Sequence, residues 1–231
     1  MSGSTGAILL AAGQGRRLGH DKSMTALAGR PVLAYGLEVL LGIGEIEKVV
    51  VTVRADVKEE AQVWLSKNYP SEAKRVAVIV GGKERQDSVW EGLETLGSGV
   101  EWAVVHDAAR VLTTAGLMEK VMRGAKESGA AAAARKMSDT VREADGQGKV
   151  VRLLDRAGLW RMETPQVVRG AILREGLKRA RVEKKMVTDC MAAAELAGVR
   201  GRLVEATEPN LKITIPSDWE LAEVWLQAGK K

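Results

Sequence analysis

The chain has 231 residues, 45% hydrophobic and 28% charged, with a formal net charge of +5. That balance suits a soluble globular unit and excludes both a disordered polar chain and a membrane span, which needs roughly eighteen or more apolar residues in a row. One cysteine, Cys190, leaves no internal disulfide, and no Cys and His set has zinc-ligand spacing, so a reducing, cytoplasmic setting is expected.

In chain order, Ala7 to Ala11 is a short apolar run with no basic stretch before it, and reads as a first buried strand rather than a secretory leader. Further strands are predicted at Val49 to Val53, Val76 to Val80 and Trp102 to Val105. Helical patterns fall between and after them at Pro31 to Leu41, Val57 to Lys67, Ser88 to Leu96 and Thr114 to Glu127, the first opening on a proline. This alternation predicts an α/β, Rossmann-like fold: a mostly parallel sheet with helices on both faces. After the small-residue run Gly129 to Ala134 the chain turns polar. Residues 136–157, with a turn at Asp145-Gly146-Gln147-Gly148, read as a projecting β-hairpin arm. Two more helices are predicted at Gly170 to Arg181 and Thr188 to Leu196, and short strands near Arg202 to Glu205 and Leu211 to Ile215. Pro216-Ser217-Asp218 opens a final helix.

The strongest local signal follows the first strand: Leu9-Leu10-Ala11-Ala12-Gly13-Gln14-Gly15-Arg16-Arg17-Leu18-Gly19. Ligands of open α/β sheets gather at this end of the strands. Ala11, Ala12, Gly13 and Gly15 let the main chain approach an anion with its N–H groups, and Arg17 and Lys22 add charge. The dinucleotide fingerprint needs glycine where Leu18 stands, and no Gly-x-x-x-x-Gly-Lys loop surrounds Lys22, so both commoner phosphate motifs fit badly. The plainer reading is a strand-to-helix turn with solvated arginines.

Six further segments follow: Gly81-Gly82-Lys83-Glu84-Arg85-Gln86-Asp87-Ser88-Val89, Val105-His106-Asp107-Ala108-Ala109-Arg110, Asp139-Thr140 with Asp155-Arg156, Thr164-Pro165-Gln166, Thr188-Asp189, and Asn210-Leu211-Lys212-Ile213-Thr214. In order and spacing, together with the loop, they resemble the 2-C-methyl-D-erythritol 4-phosphate cytidylyltransferase family of sugar-nucleotide cytidylyltransferases. The resemblance covers nearly the whole chain and implies one nucleotidyltransferase domain over residues 1–231.

The family resemblance implies transfer of CMP from CTP to methylerythritol phosphate with Mg²⁺. Arg17, Lys22 and Lys212 are then the catalytic cations around the triphosphate. Ala11, Ala12, Gly13, Gly15, Gly81, Gly82, Ser88, Asp107 and Ala108 hold the nucleotide, with Ser88 expected to cap its helix as well. Asp107 binds Mg²⁺ or substrate hydroxyls. Arg110, Thr140, Arg156 and Thr188 contact the acceptor, the first three reaching over from a neighbouring subunit, which implies a homodimer clasped by the arms. Each residue also has an ordinary reading: Lys212 as a solvated strand-edge lysine, Asp107 as an ion-pair partner of Arg110, Thr188 as a helix cap, His106 as packing. The chain departs from the family's habit at Asp21, where proline usually precedes the lysine, and at Lys83, where some relatives carry aspartate.

Three rival functions compete. A ribitol 5-phosphate cytidylyltransferase shares most of the motifs. A basic nucleic-acid-binding module is motivated by the net charge and by Leu173 to Lys185, although 3% aromatic content and the absence of Phe supply few stacking platforms. A nicotinamide dehydrogenase is opposed by Leu18. No nucleic acid or membrane partner is expected.

Overall fold

The computed structural model describes residues 3–13 and 22–229. Its strands and helices run β1 (Thr5–Leu10), β2 (Ala26–Leu27), β3 (Arg30–Pro31), α1 (Val32–Gly42), β4 (Ile46–Val53), α2 (Lys58–Asn68), β5 (Val76–Val80), α3 (Arg85–Leu96) and β6 (Trp102–Asp107). Then come α4 (Ala115–Ser128), β7 (Ala130–Lys136), β8 (Val141–Ala144), β9 (Val150–Leu154), β10 (Trp160–Arg169), α5 (Gly170–Val182), α6 (Cys190–Leu196), β11 (Arg202–Glu205) and α7 (Pro216–Gln227). Seven strands form one sheet in the order β11-β7-β10-β6-β1-β4-β5. Every neighbouring pair is parallel except those made by β10, which runs antiparallel between β6 and β7.

Both faces of the sheet are covered, which is why its strands read as continuous apolar runs instead of alternating ones. On one face Leu37 and Leu40 of α1, Leu65 of α2 and Met118 and Val121 of α4 pack over Ala7 and Leu9. On the other, Leu93 of α3, Leu173 and Leu177 of α5 and Ala194 of α6 pack over Ile8. Successive residues of β1 thus serve opposite cores, as the two-residue period of a strand requires. The expected α/β architecture with helices on both faces is what the chain forms.

Two strands of this sheet were not expected. Ala130 to Ala134 of β7 are all fully buried, inserted between β10 and β11. Alanine favours helix on propensity, but packing on both faces decides the outcome here. β10 carries Pro165, which has no N–H for the ladder; a register shift between Met162 and Gln166 absorbs it. Conversely, the strand expected at Leu211 to Ile215 is irregular chain. Of its alternating apolar residues only Ile213 is fully buried, and for another reason: it packs with Leu112 and Val32 beneath α7, where Trp219 and Trp225 close the cluster, with Leu211 half-buried at its edge and Ile215 exposed.

The arm forms as expected. β8 and β9 pair only with each other, and Asp145 Oδ1 accepts hydrogen bonds from the N–H groups of Gln147 and Lys149, both at 2.9 Å. Among the described residues no helix is long and apolar enough to cross a membrane.

Candidate active site

The site lies at the C-terminal ends of β1, β5 and β6, where a cavity of about 200 Å³ opens. Its floor is the main chain leaving β1, Ala11 to Gly13, with Ala11 N–H anchored on Thr52 O at 2.8 Å. Two glycines serve it differently. A side chain at Gly82 would fall 2.2 Å from Asp87 Cβ and 2.9 Å from its carbonyl carbon, so that glycine lets the β5–α3 loop close onto the helix. At Gly13 an added Cβ would meet nothing within 4 Å among the described residues, so this position leaves bare main chain facing the cavity.

The α3 start differs from expectation. The helix begins at Arg85 rather than Ser88, because Glu84 and Asp87 form a capping box, Asp87 Oδ2 accepting Glu84 N–H at 3.1 Å. Ser88 therefore caps nothing. It lies one turn inside, its hydroxyl turned back to Glu84 O at 3.4 Å and still on the cavity wall. Likewise Asp189, not Thr188, caps α6 by accepting Ala192 N–H at 2.8 Å, and Thr188 is exposed.

Asp107 ends β6 and is 7% exposed. Its Oδ2 accepts from Lys212 Nζ at 2.7 Å, and Arg85 Nε stands 3.5 Å from Oδ1. Burial alone would raise the pKa of this carboxyl, but the charges of Arg85 and Lys212 overcome it and hold the group well below the usual carboxylate range. The expected alternative, a pair with Arg110, is not the direct contact. Lys22 Nζ donates to Ile213 O at 2.6 Å, which brings the two predicted lysines to the same short segment. Buried Ile213, worth about 1.5–3 kcal/mol as a core side chain, and its N–H bond to Ala109 O at 2.9 Å fix that segment over the β6 end. Tertiary packing, not a strand ladder, places Lys212. His106 points the other way, with Nδ1 3.1 Å from Thr164 Oγ1; burial pushes it down to about 4, and it packs as expected.

Of the residues singled out in the sequence, Ala11, Ala12, Gly13, Lys22, Gly82, Ser88, Asp107, Ala108 and Lys212 line this one cavity. Gly81 borders an adjoining groove with Ala12 and Arg54. Gly15 and Arg17 lie outside the described residues, as does Asp21. Lys83 borders both spaces. Thr140 and Arg156 belong to the exposed arm and do not line their own chain's cavity. Arg110, expected to serve a neighbouring subunit, is 8% exposed here and engaged within its own chain, with Nη1 on Asn210 O at 2.6 Å and 3.9 Å from Glu163. Sequence reasoning assigned no role to Arg85, although it stands in the Gly-Gly segment ahead of Ser88.

Counting side chains, Lys22, Lys83, Arg85 and Lys212 face two carboxylates, Glu84 and Asp107, so among the described residues the cavity carries excess positive charge beside the main chain of Ala12 and Gly13. This is an anion site suited to a polyphosphate. The family model described as IspD, 2-C-methyl-D-erythritol 4-phosphate cytidylyltransferase, matches residues 5–228. The chain belongs to that family. A 2-C-methyl-D-erythritol 4-phosphate cytidylyltransferase of Pelotomaculum thermopropionicum is 37% identical over 225 residues, covering 96% of this chain and 94% of the relative. The bifunctional enzyme IspD/IspF of Desulfotalea psychrophila is 34% identical over 230 residues; the match covers 98% of this chain and 58% of that protein's length. The crystal structure of 4-diphosphocytidyl-2C-methyl-D-erythritol synthase from Anaerococcus prevotii superposes with a TM-score of 0.85 at 24% identity, covering 97% of this chain and 99% of that one, a likeness of fold. Membership of the cytidylyltransferase family displaces the nucleic-acid module and the dehydrogenase. In this family member the basic run Leu173 to Lys185 is mostly α5, with Leu173, Leu177 and Ala180 buried and Lys178, Arg179 and Arg181 in solvent.

Proposed function

We propose that this chain transfers CMP from CTP to the phosphate of 2-C-methyl-D-erythritol 4-phosphate, giving 4-diphosphocytidyl-2-C-methyl-D-erythritol and pyrophosphate. The observation that carries this reading is the meeting of Lys22, Asp107 and Lys212 over the bare main chain of Ala12 and Gly13 in one cavity. A phosphate oxygen of the acceptor attacks the α-phosphorus of CTP, and the bond from that phosphorus to the bridging oxygen of the β-phosphate breaks, releasing pyrophosphate. The acceptor phosphate is already ionised at neutral pH, so no general base is required. The protein's work is to hold two anions together and neutralise the charge that builds on the phosphoryl oxygens.

In this reading Lys22, Lys212 and Arg17 surround the triphosphate, with the main chain of Ala11, Ala12, Gly13 and Gly15 beneath it. Gly81, Gly82 and Ser88 form the wall for cytosine and ribose beside Ala108. Arg110 braces the acceptor wall from its own chain, and Thr188 stands at the acceptor end. Among the described residues no group of three or more His, Cys, Asp or Glu could cage a metal. The donor set suits a Mg²⁺ ion that takes most of its ligands from phosphates and water and at most one carboxylate, Asp107. Such an ion would neutralise triphosphate charge.

The working assembly is a homodimer in the cytoplasm. Val150, Val151 and Leu153 on β9 are 55%, 58% and 59% exposed, an apolar row on a two-stranded arm that is marginally stable by itself. A second copy would cover it and receive Thr140 and Arg156 at its acceptor site.

Pyrophosphate release with CTP tests the activity, methylerythritol phosphate and ribitol 5-phosphate being compared as acceptors. Higher kcat/KM for methylerythritol phosphate is expected; a preference for ribitol phosphate would overturn the acceptor, and release with neither would overturn the reaction.

A further inference from the structure

Arg85 is the first residue of α3, so its backbone is set by the capping box that starts the helix. Its side chain runs along the cavity wall toward β6, 24% exposed, with partners on both sides of the guanidinium. Nε stands 3.5 Å from Asp107 Oδ1, Nη2 is 3.3 Å from Gln166 Oε1, and Nη1 is 3.8 Å from Cys190 Sγ. Gln166 is fixed in turn: its Oε1 also accepts Cys190 N–H at 2.9 Å, and its Nε2 donates to Glu163 O at 3.2 Å. An arginine engaged in this way is not available as a mobile substrate ligand.

The carboxylate it meets has two oxygens with two different duties. Oδ1 faces Arg85, and Oδ2 receives Lys212, whose side chain is 44% exposed at the cavity. If Lys212 were the only counterion, its departure would strand a buried negative charge, which low-dielectric surroundings penalise heavily. Lys212 would then be retained by Asp107 and withheld from the phosphates. A second, immovable cation removes that constraint.

We propose that Arg85 is a positioning residue: by holding Asp107 through Oδ1 it keeps the carboxylate compensated and aimed, so that Lys212 can exchange Oδ2 for the phosphoryl oxygens of the substrates. The proposal rests on the reading of Asp107 and Lys212 given above, and Arg85 acts through them.

A double-mutant cycle tests it, with Arg85→Gln, Asp107→Asn and the pair measured by pyrophosphate release, CTP affinity measured by calorimetry, and folding checked by thermal melting. Arg85→Gln is expected to lower kcat between about tenfold and a hundredfold, the scale of a misplaced group, with CTP affinity within about twofold and partial rescue in Arg85→Lys. Because the two residues act as a unit, the double variant should be no slower than Asp107→Asn within about twofold. Losses that multiply, or a weaker CTP affinity with kcat unchanged, would overturn the role of Arg85 alone. Wild-type turnover in Asp107→Asn would instead overturn the reading of Asp107 on which the proposal stands. Should Arg85→Gln fail to fold, Arg85→Lys enters the same cycle with the same expectations of sign.

Discussion

Asp107 in the cavity is 7% exposed and held between Arg85 and Lys212, whereas on the arm the side chains of the pair Arg152 and Glu143 are 68% and 46% exposed. Both regions are dense in charge, but water screens one and not the other. An exposed pair contributes about 0–1 kcal/mol and tolerates replacement, while a buried one constrains every partner it has. The charged pairs of the cavity are therefore made within one chain. The arm has neither a buried charge nor a core, and Val150, Val151 and Leu153 on it stay exposed within the one chain.

The comparison predicts different failures on the two sides. The largest effect belongs to the cavity: Lys212→Ala and Lys22→Ala should each lower kcat about a hundredfold or more, the usual loss when one preorganised charge is removed from a transition state. Melting temperature should change little, since the Lys212 side chain is 44% exposed; near-normal turnover in either variant would break the assignment.

On the arm, association and acceptor binding should separate. Burying one Val or Leu side chain contributes about 1.5–3 kcal/mol, and a two-fold contact counts it twice, so Leu153→Asp should weaken self-association about a hundredfold in sedimentation. Arg156→Ala should stay dimeric and raise the KM for the acceptor phosphate about tenfold, as loss of one charge-assisted hydrogen bond does, with the KM for CTP unchanged. A monomeric wild type, or an effect of Arg156 confined to CTP, would contradict the shared site.

The smallest effect is on stability, and it sharpens the contrast in burial. His106 is fully buried and pushed down to about 4 from 6.5, so between those values the unfolded chain binds a proton that the folded chain refuses. Stability from this group is complete above pH 6.5 and falls as the pH drops toward 4, by on the order of 2–3 kcal/mol. Urea unfolding at pH 7 and pH 4.5 should show a shallower loss in His106→Gln than in the wild type. Parallel losses would place the titration elsewhere. No arm residue is buried enough to add such a slope.

Much of this was legible in the residues. The apolar runs at β1, β4, β5 and β6 named the parallel half of the sheet, because strands covered on both faces need little but hydrophobicity. The glycine-bearing loop, the strand-end Asp107 and the two lysines named an anion site, since that chemistry requires those residue types. Less legible were β7 and β10, where alanine and proline contradict local propensity and the sheet's neighbours overrule them. The Leu211 to Ile215 pattern misled for a related reason: Ile213 is buried under α7, which leaves the same trace as burial in a sheet, and the apolar Ile215 two positions on is exposed.

The sequence by itself determined the fold class, the family and the inventory of charged groups, because these depend on residue type and order along the chain. Only the tertiary structure decided who pairs with whom: that Asp107 answers to Arg85 and Lys212 instead of Arg110, that Glu84 with Asp87, and Asp189, cap where Ser88 and Thr188 were expected, and that Arg110 bonds within its own chain. Such pairings depend on distances of a few ångströms between residues as far as 105 positions apart, and those distances exist only once the layers have packed.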